Sequence, residues 1–174
     1  MDNTVVLRNI IRGLILIFVQ VLVLRNLNLG VGWFSVITVF LYPVFFMHLP
    51  IQTPTWLMIL IGAFYGYIID VFYDTIGMHM AACIFSAYIR GGLLLFLEPQ
   101  GGYKVGISPT RHNLGFLWFV RYAALFMFIH VFVFFSVEEF TPFYFKKIVL
   151  YTIPSFAIST LLVYLYNLLL DPKD

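Results

Sequence analysis

The chain has 174 residues, of which 62% are hydrophobic, 20% aromatic and only 10% charged, with a formal net charge of +2. That composition lies far outside the range of soluble domains and excludes a water-exposed globular fold. The small charge, carried by scattered basic residues, gives no footing for nucleic acid, and the single cysteine, Cys83, excludes an intrachain disulfide.

A membrane-crossing helix needs about 20 apolar residues, so the length allows about six spans in one transmembrane domain over residues 1–174. The first apolar block follows Arg8 and Arg12 and runs through "GLILIFVQVLVL" to Arg25. No small-residue cleavage site follows it, so it reads as a retained helix rather than a signal peptide. Hydropathy and helix breakers place spans near 7–26, 30–49, 55–73, 76–97, 114–137 and 147–170.

Pro50 and Pro54 separate the second and third spans, because proline lacks the backbone donor a helix needs. "DTIG" makes the third connection very short, and "EPQGGYKVGISPTRHN" makes the fourth the longest, polar and irregular. "EEFTPFYFKK" forms the fifth, with Glu138 and Glu139 on a solvated turn and Lys146 and Lys147 as interface anchors.

Six spans put both termini on one side. Arg8, Arg12, Lys104, Arg111 and Lys173 fall there and Arg25, Lys146 and Lys147 opposite; five cations against three place the termini in the cytoplasm. Pro43 and Pro154 fall in the second and sixth spans, which are not equivalent positions in two three-span halves, so they do not mark an inverted repeat.

The third span carries Gly62, Gly66 and Asp70 at intervals of four, in one row along a helix face. Small residues in such a row let another helix approach closely, either the chain's own or a partner's. A carboxylate in a span costs on the order of 2.5–3.5 kcal/mol on insertion scales, so Asp70 needs a partner. Asp74 can cap the fourth span or sit in interfacial water, while Gly77 permits the tight reversal.

Arg90 and Arg121 are in-span cations, predicted to face the interior or to snorkel to an interface. Arg90 lies too far along the next helix to pair with Asp70. His79 and His130 read as hydrogen-bonded core residues. "HMAAC" sets His79 and Cys83 one turn apart, which is too few ligands for a metal site. Gln20, Ser86 and Ser136 are candidate interhelical hydrogen-bond donors. The chain has no H-E-x-x-H, G-x-S-x-G or Walker loop, so no catalytic residue, cofactor or metal is assigned.

The segment "GAFYGYIIDVFYDTIGMHMAACIFSAYIRG" resembles the signature of the MreD family of bacterial rod-shape-determining membrane proteins: a glycine-bearing span ending in an aspartate, a short turn, then a glycine opening the next span. Gly62, Gly66, Asp70 and Gly77 carry the match, and chain length and six-span layout agree with it. The long glycine-rich loop 98–113 departs from the pattern.

The resemblance implies an all-α integral membrane bundle, similar in fold to the substrate-capture subunits of energy-coupling-factor transporters. It also implies a non-enzymatic scaffold of the cell-elongation and peptidoglycan-synthesis machinery in the inner membrane. There the chain would sit beside an MreC-like single-span partner and act with the MreB cytoskeleton, the RodA glycosyltransferase and its transpeptidase. Gly62, Gly66, Asp70, Asp74 and Gly77 would form the partner face. The alternative is a capture subunit for a vitamin or metal ion, which requires a cavity with convergent polar groups.

Overall fold

The computed structural model describes residues 3–26, 37–140 and 142–170. All regular structure among them is helical. Helix α1 (Asn3–Phe18) continues through a widened turn at Val19–Val23 and a tight one at Leu24–Asn26. It is followed by α2 (Val44–His48), α3 (Thr55–Tyr73), α4 (Met78–Phe96), α5 (Arg111–Leu114), α6 (Phe116–Glu139) and α7 (Phe145–Leu170). Five helical segments are long and apolar enough to cross a membrane: Leu7–Asn26, Thr55–Tyr73, Met78–Phe96, Phe116–Glu139 and Phe145–Leu170. Pro154 is accommodated inside α7, which runs on past it.

The expected second span is where the structure departs from the sequence reading. Residues 30–36 of it lie outside the described residues. From Ile37 to Leu41 the chain is non-helical, it turns at Tyr42 and Pro43, and only Val44–His48 is helical. The physical reason is local: Ile37, Thr38 and Val39 are β-branched in succession, and Pro43 contributes no backbone donor.

This irregular segment is the middle of the molecule. Phe40, Tyr42, Val44, Phe46 and Met47 are wholly buried, and α3, α4, α6 and α7 pack in sequence around them, each against the next. Helix α1 lies beside α3 and parallel to it: the Tyr65 hydroxyl donates to the Gly13 carbonyl at 2.9 Å, and further along both helices Arg25 pairs with Asp74 at 2.9 Å. Two parallel helices require the connecting chain to return along the bundle, and residues 37–49 make part of that return. Thr38 meets Ser155 on α7, and His48 meets Asn167 on the same helix, about 18 Å further along.

The bundle therefore has two ends. At the hairpin end lie Arg25, Asp74 and the α3–α4 turn; at the terminal end lie the start of α1, the end of α7 and the loop between α4 and α6.

Candidate functional site

The α3–α4 hairpin is built by the glycine row. A Cβ on Gly66 would lie 2.4 Å from the Met80 Cα, and one on Gly62 would lie 3.1 Å from the Cys83 carbonyl oxygen. Backbone meets backbone here, the close approach that small residues allow where lipid supplies no hydrophobic drive between helices. The face that the spacing also offered to a partner's helix is thus filled by the chain's own α4.

Asp70 ends the row and is 4% exposed. Its two carboxylate oxygens accept from the backbone N–H of His79 (3.0 Å) and Met80 (2.9 Å) and from the Thr75 hydroxyl (2.6 Å). A helix start leaves its first N–H groups without intrahelical acceptors and carries partial positive charge, so a buried carboxylate is stabilised there. Asp70, not Asp74, performs the capping. Asp74 sits in the left-handed region at φ 55° with its side chain exposed, paired with Arg25. Gly77 makes the reversal at φ 78°, as the sequence predicts.

At mid-height four side chains form one hydrogen-bonded chain. The Tyr42 hydroxyl lies 3.0 Å from Nδ1 of His79 and 2.7 Å from Nε2 of His130, and the Ser86 hydroxyl lies 2.9 Å from Nδ1 of His130. All four are buried. A phenol has one proton, so Tyr42 donates to one imidazole and accepts from the other. His79 Nε2 has no polar partner, and its ring packs against Tyr73 and Phe134 with centroids 4.8 and 4.7 Å away. An N–H tolerates aromatic surroundings where a bare lone pair does not. The network thus assigns the proton of His79 to Nε2, makes Tyr42 its donor, and has His130 donate from Nε2 while accepting from Ser86.

Around this chain, side chains take over the bonds that a helix would have made in the central segment. Gln20 donates to the Val39 carbonyl at 2.8 Å and accepts from the Leu41 N–H at 2.9 Å, while also donating to the Tyr73 hydroxyl at 2.7 Å. Ser155 and Ser159 accept from the N–H groups of Thr38 (3.2 Å) and Phe40 (2.9 Å). Irregular backbone survives in an apolar bundle only when its polar groups are met in this way.

The two in-span arginines separate. Arg121 is exposed on α6, whereas Arg90 is buried and donates from Nη2 to the carbonyls of Leu49 and Pro50, closing the end of α2. Positive charge is favourable beside the free carbonyls of a helix end. The loop from Leu97 to Thr110, which follows α4, is tied to the chain after α2 by the Ile51 N–H to the Ile107 carbonyl (3.1 Å) and the Gly106 N–H to Gln52 (2.8 Å). In that loop burial, reinforced by Glu98, pushes the Tyr103 phenol up to about 12.

Of the predicted interhelical donors, Gln20 and Ser86 act as such, while Ser136 bonds back to Phe132 of its own helix at 2.7 Å. Lys147 pairs with Glu139 across the α6–α7 turn. Sequence reasoning missed Tyr42, His48, Ser155, Ser159 and Asn167. The signal for the last three was present, because they recur at multiples of four along the last span and so lie in one polar row.

No family model matches the chain, and no curated protein or solved structure matches it. Among the described residues no group of three or more His, Cys, Asp or Glu side chains could hold a metal ion.

Proposed function

We propose that this chain is a non-catalytic scaffold subunit of a bacterial cell-elongation complex, similar to the MreD family. It would cross the inner membrane six times with both termini in the cytoplasm, with residues 37–49, helical only at Val44–His48, in the second crossing. The observation that carries the proposal is the α3–α4 hairpin. The residues of the resemblance, Gly62, Gly66, Asp70 and Gly77, are those that set its close approach, its cap and its reversal.

The scaffold is favoured over a small-molecule capture subunit by how the interior polar groups are used. Tyr42, His79, His130 and Ser86 bond to one another, and Gln20, Ser155 and Ser159 bond to the central backbone. Because α4 fills the glycine row, an MreC-like single-span partner would rest on an outward face, with the row fixing the hairpin behind it.

Purification from the native membrane in mild detergent, with mass spectrometry of the proteins recovered, tests this. A single-span protein with a large external coiled-coil region is the expected companion. Recovery of an ATPase module with a bound small molecule would overturn the proposal in favour of a capture subunit.

A further inference from the structure

The two ends of the bundle differ in charge. Towards the terminal end lie Arg8, Arg12, Arg90, Lys104, Arg111 and Arg121 with one described carboxylate, Glu98, whereas at the hairpin end Arg25, Lys146 and Lys147 accompany Asp70, Asp74, Glu138 and Glu139. The terminal end stays basic even when Asp2, Asp171, Lys173 and Asp174, which fall outside the described residues, are all counted to it. At the hairpin end Arg25 pairs with Asp74 and Lys147 with Glu139. At the terminal end the side chains of Lys104 and Arg121 are exposed, and neither has a hydrogen bond or ion pair with any described residue.

A pair of aromatic rings brings these two cations to one place. The Trp118 indole donates to the Leu97 carbonyl at 2.7 Å, and Tyr103 meets its ring edge-on with centroids 6.1 Å apart. The Tyr103 hydroxyl is itself tied to the Leu94 carbonyl at 2.7 Å. Lys104 follows Tyr103 in the chain and Arg121 follows Trp118 by one turn of α6, so the cations flank the ring pair. Tryptophan and tyrosine favour the membrane–water interface, which sets the depth of the patch. Arg121 lies about 7.5 Å along α6 from Phe116, and a helical Cβ leans towards the N-terminus, so its side chain leads back to that depth. On the same stripe of α6, Leu117, Leu125 and Phe128 are exposed, the last two running on into the span.

We propose that Lys104 and Arg121 hold the headgroup of an anionic phospholipid, with an acyl chain along Leu125 and Phe128. The phosphate supplies the negative charge that no described side chain brings to these cations, and arginine meets phosphate oxygens through charge-assisted bonds. Charge complementarity selects this occupant: from the bundle end inward the surface is basic, then aromatic, then apolar, the order of a lipid from headgroup to chain. The patch is open on the outside of the bundle, and it stands whether or not the chain is a scaffold.

The test uses the full chain, delipidated in neutral detergent and offered phosphatidylglycerol or phosphatidylcholine in mixed micelles. Native mass spectrometry reads the lipid retained, and thermal unfolding reads stabilisation. The wild-type chain is expected to retain phosphatidylglycerol in preference to phosphatidylcholine. Arg121→Gln and Lys104→Gln should each weaken that retention by roughly fivefold, the effect of one basic residue near an anionic lipid surface, with lipid-free unfolding unchanged because both positions are exposed. Arg121→Lys, which keeps the charge, should recover part of the loss, and Lys146→Gln at the hairpin end should cause none. Equal retention of the two lipids by the wild type overturns the assignment, as does an equal loss from Lys146→Gln, which would mean diffuse attraction rather than a site. If Arg121→Gln keeps the lipid but sheds a protein that accompanies the wild type from its native membrane, the patch belongs to a protein partner and the lipid assignment falls.

Discussion

The Tyr42 hydroxyl lies 2.7 Å from His130 Nε2, and that contact ties the irregular central segment to α6 just as the 3.0 Å contact with His79 ties it to α4. One phenolic oxygen therefore joins three elements at the point where no regular backbone bonding holds the middle one. Tyr42→Phe removes the oxygen while keeping the ring in its packing among Phe40, Tyr65 and the two imidazoles. It leaves an acceptor on His79 and a donor on His130 without partners. Each orphaned buried group costs about 1–3 kcal/mol, so the variant should unfold at clearly lower temperature in detergent. Nitrogen-15 chemical shifts offer an independent check, because both imidazoles are expected as the Nε2–H tautomer in the wild-type protein. A His79 ring protonated at Nδ1 instead would reverse the direction assigned to the chain.

The helical glycines separate by what a methyl group would meet. At Gly66 it would collide with the Met80 backbone at 2.4 Å, and no side-chain rotation relieves that. Gly66→Ala must therefore push α3 and α4 apart, which also disturbs the cap that Asp70 provides, for a loss of about 1–3 kcal/mol or more. At Gly62 the contact is 3.1 Å and the loss should be smaller. At Gly92 nothing lies within 4 Å, so alanine should be neutral or stabilise by up to about 1 kcal/mol through helix propensity. Thermal unfolding of the three alanine variants in one detergent measures the order. A Gly66→Ala protein as stable as Gly92→Ala would mean that the hairpin is not packed as described.

Four of the five long helices were legible in the sequence to within about two residues, because each is a continuous apolar run bounded by proline, glycine or charge. Asp70 was legible as a carboxylate needing a partner, and its spacing from Gly66 correctly placed it on the packed face. What hydropathy could not reveal was the shape of residues 37–49. An apolar stretch buried by protein and one buried by lipid have the same composition, and only the second must be helical. The compensating acceptors lie on Gln20 and, more than a hundred residues later, on Ser155 and Ser159, and the two groups become one set only once the chain has folded.

Ser159→Ala tests that compensation directly. The Ser159 hydroxyl accepts from the Phe40 N–H at 2.9 Å, both residues being wholly buried. Alanine would leave a backbone donor in apolar surroundings, at a cost of about 1–3 kcal/mol. Hydrogen exchange localises the effect: the Phe40 amide should exchange faster, while amides in the middle of α3 keep their protection. Uniformly faster exchange in all helices would instead indicate that the central segment and the helices around it open as one unit.

Asp70→Asn should loosen the start of α4 without unfolding it. The carboxylate serves the His79 and Met80 N–H groups through different oxygens, Oδ1 and Oδ2. An amide has only one acceptor oxygen, so one N–H must face the amide nitrogen, and the charge that complements the helix start is lost as well. The loss is expected at about 1–2 kcal/mol, appearing as faster exchange of the first α4 amides. Thr75 also loses the acceptor it reaches at 2.6 Å if the amide turns its nitrogen that way. If Asp70→Asn left the exchange of His79 and Met80 unchanged, the capping role would be wrong.

Phe140 offers a prediction of opposite sign. It follows α6 at φ 42°, a left-handed conformation that costs a residue with a Cβ roughly 1–2 kcal/mol. Its N–H donates to the Ser136 carbonyl at 3.1 Å, the bond of a helix-ending residue, and glycine is the residue best suited to that position. The Phe140 side chain is 88% exposed, so little packing within the protein is forfeited by removing it. Phe140→Gly should therefore raise stability in detergent by about 0.5–1 kcal/mol, after allowing for the extra freedom glycine has when unfolded. In a bilayer the same change also removes an aromatic ring from the end of a span, where such rings favour the interface. Comparing unfolding in detergent with unfolding in nanodiscs separates the two effects. A gain in detergent that shrinks in nanodiscs would show that the ring is held in this strained conformation by its contact with lipid, whereas a loss in both would show that the left-handed turn is not what limits stability there.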